Sequence, residues 1–117
     1  MKKIKILIPV YNDWQSLSKL LNNINNSLED INHEISIIIV DDASTFDRQL
    51  DLANLGNIQS IKVLTMKENK GHTRCIAVGL KYIFEKEEFD YVIPMDGDGE
   101  DRPEEIRQLV DNLNYHP

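Results

Sequence analysis

The chain has 117 residues, enough for one domain to build a core without disulfides or a structural metal. Its formal charge is −7, and residues 81–117 carry all of this excess, with 11 acidic and 4 basic side chains. An acidic chain without a basic run is a poor candidate for binding nucleic acid or an anionic membrane through its net charge, which leaves only a local basic pocket for such contacts. The single cysteine, Cys75, cannot form an internal disulfide and is predicted to be a small buried hydrophobic residue.

Apolar periodicity predicts alternating strands and helices from the beginning of the chain. Residues 4–8 form the first strand, and apolar residues at helical spacing follow over 14–28, with Asn12 or Asp13 as the helix cap. The β-branched run 35–40 shows too little polar alternation for a one-sided sheet. This run is therefore predicted to be a central strand, buried on both faces.

Ser44 or Thr45 is placed to cap a short helix that carries Leu50, Ala53 and Leu55 and is closed by a glycine and an asparagine. The third strand is predicted over residues 58–66.

Apolar residues at helical spacing over residues 76–84 then mark another helix, inside which Gly79 indicates a close approach of the backbone to a neighbour. The fourth strand is predicted over 89–95, and Pro103 suits the first turn of a last helix. Four residues of this helix are expected to face the core: Ile106, Leu109, Val110 and Leu113.

The sum is a βαβαβαβα pattern with no linker or repeat, so we predict one domain over residues 1–117. Its class is α/β and Rossmann-like, with a mainly parallel sheet and helices on both faces. In such sheets ligands bind beyond the carboxyl ends of the strands. The loops that follow the four strands are therefore the candidate functional segments.

Asp96 and Asp98 lie two residues apart in the loop after the fourth strand. Hard oxygen ligands at this spacing suit Mg²⁺ or Mn²⁺, whose remaining ligands come from water and substrate phosphates. The alternative is an ordinary acidic turn before a helix, but the position beside other acidic loops favours a metal site. Thus Asp96 and Asp98 are the candidate metal ligands.

Other loop residues have both a functional and a structural interpretation. Asp42 can accept a hydrogen bond from a ribose or a base, while Asp41 or Asp42 can instead cap the next helix. Tyr11 can stack on a base or simply cover the end of the sheet. Arg74 can pair with phosphate oxygens or remain solvated, and His72 can pair with them more weakly.

Four motifs, each near the end of a predicted strand, together resemble glycosyltransferase family 2 over essentially the whole chain. They are Ile-Pro-Val-Tyr-Asn-Asp (8–13), Val-Asp-Asp-Ala-Ser-Thr (40–45), Asn-Lys-Gly-His-Thr-Arg (69–74) and Met-Asp-Gly-Asp-Gly-Glu-Asp-Arg-Pro-Glu-Glu-Ile (95–106). The last motif resembles the polyprenyl-phosphate glycosyltransferase branch. The resemblance implies a GT-A fold, a nucleotide-diphosphate sugar donor linked to UDP or GDP, a divalent cation, Mn²⁺ or Mg²⁺, and inversion at the anomeric carbon.

Carried over to matching positions, the resemblance implies a nucleotide site of six residues and a metal ligand. Pro9, Tyr11 and Asp42 would line the base and ribose pocket. The remaining positions are Asp13 nearby, Arg74 toward the nucleotide, Asp96 at the ribose or sugar and Asp98 at the metal. The acceptor would be a polyprenyl phosphate or a glycan.

Members of the family normally continue for a further hundred residues or more, with an acceptor half and a general base, so this chain is expected to be the donor half alone. No residue of the chain is assigned as the catalytic base. The alternative function is a non-catalytic nucleotide-binding or assembly module, and a phosphorylation receiver is disfavoured because the paired aspartates follow the second strand. We expect a cytoplasmic chain, membrane-associated in a longer form, and a homodimer through an open sheet edge.

Overall fold

A computed structural model describes residues 1–96 and 103–112. The described part of the chain contains four strands and three helices. In chain order they are β1 (Lys3–Val10), α1 (Trp14–Ser27), β2 (Glu34–Asp41), β3 (Ser60–Thr65), α2 (His72–Lys86), β4 (Tyr91–Pro94) and α3 (Pro103–Asn112).

The strands form one sheet in the order β3-β2-β1-β4, and every neighbouring pair is parallel. β1 and β2 are central and pair over their full length, from Lys3 opposite Glu34 to Val10 opposite Asp41. In β2 every residue after Glu34 is buried, as expected for a parallel strand covered on both faces. The predicted mainly parallel α/β sheet is confirmed.

Side chains alternate along β1 and β2, and each face of the sheet has its own hydrophobic cluster. One face packs residues such as Ile6 and Ile37 against α1 and α3, which contribute Leu17 and Val110. The opposite face packs a smaller cluster against α2. Its fully buried members are Leu7, Ile38, Val40, Cys75 and Ile83. Helices therefore cover both faces, as predicted.

Several boundaries differ from the sequence prediction. β3 and β4 are shorter than predicted, whereas α2 begins four residues before residue 76. In α3, Ile106 and Val110 are buried as predicted, but Leu109 is 51% exposed, so its assignment to the core is wrong. The prediction for Leu113 lies outside the described residues.

The predicted helix after Ser44 or Thr45 is wrong, because none of residues 43–59, all described by the structure, is helical. Backbone N–H groups here bond to side chains of other segments instead of to a helical ladder. The backbone N–H groups of Thr45 and Phe46 donate to the Asn12 side chain, at 2.7 and 2.9 Å. Further along, the Asp51 N–H donates to Ser18 Oγ at 3.4 Å.

Asn25 in α1 holds the far end of this non-helical segment. It is 7% exposed, and its Oδ1 accepts from the backbone N–H of Asn57 at 2.8 Å while its Nδ2 donates to the carbonyl of Asn54 at 3.2 Å. Asn57 Nδ2 in turn donates to the carbonyl of Asn25 at 2.8 Å. Three hydrogen bonds thus attach the end of this segment to α1.

The amino ends of the strands are joined to the end of α2 by ion pairs. Lys3 Nζ lies 2.6 Å from Glu88, and Lys5 Nζ and Lys62 Nζ lie 3.8 and 3.1 Å from Glu87. The side chains of Lys5 and Glu87 are only 12% and 11% exposed, whereas Glu88 is 86% exposed. Charged groups therefore surround the start of the sheet.

At Gly79 the backbone of α2 lies close to the sheet, as the sequence indicates. A Cβ at this position would lie 2.3 Å from Leu7 Cδ1. We expect Gly79→Ala to lower the free energy of unfolding by about 1 kcal/mol, because overpacking outweighs the gain in helix propensity. Urea unfolding followed by fluorescence of Trp14 measures this.

Two comparisons separate crowding from other effects of Gly79→Ala. A Cβ added at Gly56 would meet no other group within 4 Å, so Gly56→Ala is expected to change stability by less than about 0.5 kcal/mol. In a Leu7→Ala background, Gly79→Ala should no longer destabilise the chain. Equal losses at the two glycines would contradict the close contact.

Asn25→Ala is expected to destabilise the chain by about 1–3 kcal/mol, because it leaves polar groups of Asn54 and Asn57 without their partner. Asn22→Ala is the matched control, since Asn22 is exposed and donates to the Ser18 carbonyl of its own helix at 3.2 Å. Thermal unfolding of both variants is the measurement. A loss for Asn22→Ala as large as that for Asn25→Ala would show that Asn25 does not anchor the segment.

Candidate functional site

The parallel sheet brings the carboxyl ends of all four strands to one edge. β1 ends at Val10, β2 at Asp41, β3 at Thr65 and β4 at Pro94. We call the segments that follow them loop 1 (residues 11–13), loop 2 (42–59), loop 3 (66–71) and loop 4, of which residues 95 and 96 are described. These loops contain Tyr11, Asp13, Asp42 and Asp96, whereas Pro9 lies near the end of β1 and Arg74 in the first turn of α2.

Loop 1 is a tight turn that leads into α1. Asn12 has φ 62°, in the left-handed region that asparagine adopts more readily than most residues. Asp13 is the N-cap of α1, and its carboxylate accepts from the backbone N–H of Ser16 at 3.2 Å. Of the two predicted cap residues, Asp13 is therefore the one that caps the helix.

Loop 2 is bonded to loop 3 through Asp42, a residue only 5% exposed. Its two carboxylate oxygens accept from the backbone N–H groups of Lys70 and Gly71, at 2.8 and 2.9 Å. Asn69 Nδ2 also donates to the Asp42 carbonyl at 3.3 Å. Gly71, with φ 93°, is the N-cap of α2, so Asp42 fixes the chain where that helix begins.

Asp41 and Asp42 do not cap a helix after β2. Asp41 Oδ1, at the end of β2, accepts from the backbone N–H of Ser44 in loop 2 at 2.9 Å. The Asp41 side chain thus shapes a local turn, and Asp42 is the one of the pair that reaches loop 3.

A cavity of about 120 Å³ lies between loop 1, Asp42 and the start of α2, and we call it the Tyr11 cavity. It is lined by Pro9, Val10, Tyr11, Asp42, His72 and Cys75. The structure thus brings together Pro9, Tyr11 and Asp42, the three residues predicted for a base and ribose pocket. Tyr11 is 48% exposed and leaves ring surface accessible to a ligand.

A second cavity, of about 420 Å³, adjoins the first at His72. We call it the Asp96 cavity, and it is lined by His72, Thr73, Ile76, Pro94, Met95 and Asp96. His72 Nε2 contacts Asp96 Oδ1, which joins the start of α2 to loop 4. The sequence suggested His72 only as a weak phosphate ligand and gave no sign of this pairing with Asp96.

Two predicted nucleotide residues lie apart from these cavities. Asp13 lines a third cavity of about 820 Å³, the Asp13 cavity, formed by the start of α1 and residues 45–51. Arg74 is exposed on the first turn of α2 and lines none of the three cavities. The structure therefore does not bring Asp13 or Arg74 into the group that surrounds Tyr11.

The metal prediction falls partly outside the described residues, since Asp98 is not among them. Within residues 1–96 and 103–112 no group of three or more His, Cys, Asp or Glu side chains could hold a metal ion. Asp96 is the one predicted metal ligand whose position is described. An oxygen ligand beside an open cavity is compatible with Mg²⁺ or Mn²⁺, which commonly take only one or two protein carboxylates together with substrate phosphates.

Cys75 lies behind the Tyr11 cavity and is completely buried, as predicted. Burial raises the pKa of its thiol to about 12, and a hydrogen bond to the Asp42 carboxylate together with the charge of Asp42 contributes to the increase. The thiol therefore stays protonated at neutral pH and is unsuited to act as a nucleophile.

We expect Cys75 to react with a water-soluble disulfide reagent at pH 8 at least about 100-fold more slowly in the folded chain than in urea. Folding raises the pKa of the Cys75 thiol from about 9 to about 12, so the folded state favours the protonated thiol. Its contribution to the free energy of unfolding is therefore complete below pH 9 and is lost as the pH rises toward 12. Stopped-flow labelling gives the rate, with Cys75→Ser as the blank. Rapid labelling without denaturant would contradict the buried, protonated thiol.

None of the helices within the described residues combines the length and apolar character that a membrane span requires.

The polar contacts at the carboxyl edge of the sheet could have been found only in part from the sequence. Asn12 occurs in the first motif, yet its bonds to loop 2 depend on the distance in space between two loops that are 32 residues apart.

Comparisons with known proteins identify a common family. A family model described as glycosyl transferase family 2 matches residues 5–117. Undecaprenyl-phosphate 4-deoxy-4-formamido-L-arabinose transferase of Proteus mirabilis is 33% identical over 112 residues, covering 94% of this chain and 33% of that protein. The protein of the same name from Pseudomonas savastanoi is 35% identical and is covered over 32% of its length. The chain thus spans about a third of these relatives.

Solved structures show the same fold at low sequence identity. The crystal structure of S. aureus TarS 1–349 in complex with UDP-GlcNAc has a TM-score of 0.71 at 23% identity, covering 96% of this chain and 31% of that one. A mannosyltransferase from Pyrobaculum calidifontis in complex with GDP-Man and Mn²⁺ has a TM-score of 0.62 at 17% identity, with coverages of 83% and 28%. The GT-A-like fold expected from the four motifs is confirmed.

Proposed function

The chain belongs to glycosyl transferase family 2, and on that premise we propose that it forms the donor-binding part of an inverting glycosyltransferase. The donor is a sugar linked to UDP or GDP, and a divalent cation assists the transfer. Two curated relatives are named as undecaprenyl-phosphate transferases, which supports a polyprenyl phosphate as the acceptor ahead of a glycan. With such an acceptor, the complete enzyme works at a membrane surface.

The grouping of Pro9, Tyr11 and Asp42 around one cavity is the observation that carries this proposal. An aromatic ring beside a carboxylate offers a stacking surface and a hydrogen-bond acceptor, the two contacts that a base and its ribose require. The carboxylate of Asp42 is already oriented by two backbone N–H groups and by the Cys75 thiol, which leaves one of its about four acceptor sites for a ligand. Thus the cavity is prepared for a nucleoside before one binds.

The diphosphate would extend from the Tyr11 cavity into the Asp96 cavity, which adjoins it at His72. Asp96 and Asp98 are the residues that would hold Mn²⁺ or Mg²⁺ there. A cation held by these residues would offset the negative charge that develops on the departing nucleotide diphosphate. Arg74, on the exposed first turn of α2, would approach the nucleotide from outside, and Asp13 would remain nearby as the cap of α1.

In the transfer, a bond forms between the acceptor oxygen and the anomeric carbon while the bond from that carbon to the diphosphate oxygen breaks. Attack from the face opposite the leaving group inverts the configuration. The acceptor proton passes to a general base, and none of the described residues is assigned that role. Since the chain spans about a third of its relatives, donor binding is the part of the reaction that we assign to it.

Calorimetric titration with UDP and with GDP, each with and without Mn²⁺, tests the proposal. We expect one nucleotide to bind and Mn²⁺ to tighten its binding by about tenfold or more, because the cation offsets repulsion between the diphosphate and the acidic loop. Asp98→Ala should remove the effect of Mn²⁺. The absence of metal-dependent binding to either nucleotide would overturn the proposal.

Asp47→Ala serves as the matched control for Asp98→Ala, because Asp47 is a carboxylate of loop 2 that lines the separate Asp13 cavity. It changes the net charge equally and should leave the effect of Mn²⁺ intact. Nucleotide binding that is unchanged by Asp98→Ala would instead favour the alternative function, a non-catalytic nucleotide-binding or assembly module.

Association of two copies of the chain into a homodimer remains a prediction, which analytical ultracentrifugation can test.

A further inference from the structure

Loop 1 and loop 2 are joined through one residue, Asn12. Its Oδ1 accepts from the backbone N–H groups of Thr45 and Phe46, at 2.7 and 2.9 Å, and its Nδ2 donates to Thr45 Oγ1 at 3.1 Å. The backbone N–H of Asn12 donates to Ser44 Oγ at 2.8 Å. We call this set of four hydrogen bonds the Asn12 bridge.

The bridge and the last rung of the sheet together hold the backbone on both sides of Tyr11. On the preceding side, Val10 pairs with Asp41, and its carbonyl accepts from the backbone N–H of Asp42 at 2.9 Å. On the following side, Asn12 is fixed in the left-handed region by its bonds to loop 2. Tyr11 thus projects from a chain that cannot shift without breaking one of these connections.

We propose that Asn12 is a positioning residue, which acts through Tyr11 by fixing its aromatic ring at the Tyr11 cavity. A ligand that stacks on a ring held in place does not have to order the loop when it binds, so its affinity is higher. The effect on nucleotide affinity rests on the proposed function. The hydrogen bonds of the Asn12 bridge, which attach loop 1 to loop 2, are independent of the proposed function.

Two substitutions separate the bridge from the backbone conformation of Asn12. Asn12→Gly keeps the left-handed conformation and removes every side-chain bond, whereas Asn12→Asp keeps an acceptor oxygen for Thr45 and Phe46. Asn12→Asp is therefore the conservative variant. Urea unfolding of both variants, followed by Trp14 fluorescence, shows whether either change affects global stability.

Amide hydrogen exchange tests the bridge without any ligand. The amides of Thr45 and Phe46 should be protected in the unmodified chain and in Asn12→Asp, and should lose this protection in Asn12→Gly. Unprotected amides at these two positions in the unmodified chain would overturn the proposal, as would equal protection in all three chains.

Calorimetry with UDP and Mn²⁺, or with GDP if UDP does not bind, tests the action through Tyr11. Asn12→Gly should weaken binding by about tenfold, while Asn12→Asp should stay within about threefold of the unmodified chain. In a Tyr11→Ala background, Asn12→Gly should cause no further loss. An undiminished loss in that background would show that Asn12 does not act through Tyr11, which overturns the proposal.

The two experiments distinguish failure of this inference from failure of the proposed function. If the unmodified chain binds neither nucleotide while the exchange pattern holds, the proposed function fails and the bridge stands. If a nucleotide binds but Asn12→Gly binds it equally well, the proposed function stands and the positioning role of Asn12 fails.

Discussion

The parallel pairing of β1 with β2 is the interaction on which the rest of the structure depends. The pair runs in register from Lys3 opposite Glu34 to Val10 opposite Asp41. Because each strand is buried on both faces, slipping by one residue would turn every side chain toward the wrong hydrophobic cluster. The same register sets Tyr11 and Asp42 just beyond the last rung. The geometry of the cavity is therefore a consequence of how the core packs.

Hydrophobic burial brings the four loops to one edge, but polar contacts give them their shapes. Asn12 ties loop 1 to loop 2, Asp42 ties loop 2 to loop 3, and His72 contacts Asp96 of loop 4. In the first two of these contacts a side-chain oxygen accepts from backbone N–H groups that no helix or strand ladder pairs. Residues that a ligand would contact thus also hold the site together, and the two roles meet most closely in Asp42.

The sequence predicts features that neighbouring residues determine better than features that depend on contacts between residues distant in sequence. The apolar pattern of β2 and the helical spacing of α1 are local, and both elements are confirmed. The helix expected after Ser44 is absent, since Asn12 and Asn25, distant in sequence, take up the backbone groups of that segment. For the site, the motifs single out Pro9, Tyr11 and Asp42, and the folded chain places these three residues around one cavity. The sequence left alternatives open at two other positions, and the folded chain shows that Asp13 rather than Asn12 caps α1 and that Arg74 is exposed.

The two ends of the sheet are built from chemically different contacts. At the amino end, Lys3, Lys5 and Lys62 pair with the carboxylates of Glu87 and Glu88. At the other end, hydrogen bonds to backbone amides predominate. Dissolved ions screen the first kind of contact far more than the second. A higher ionic strength can therefore weaken the contacts at the amino end of the sheet while the loops at the carboxyl end keep their geometry. The salt dependence of folding stability and that of loop geometry need not coincide.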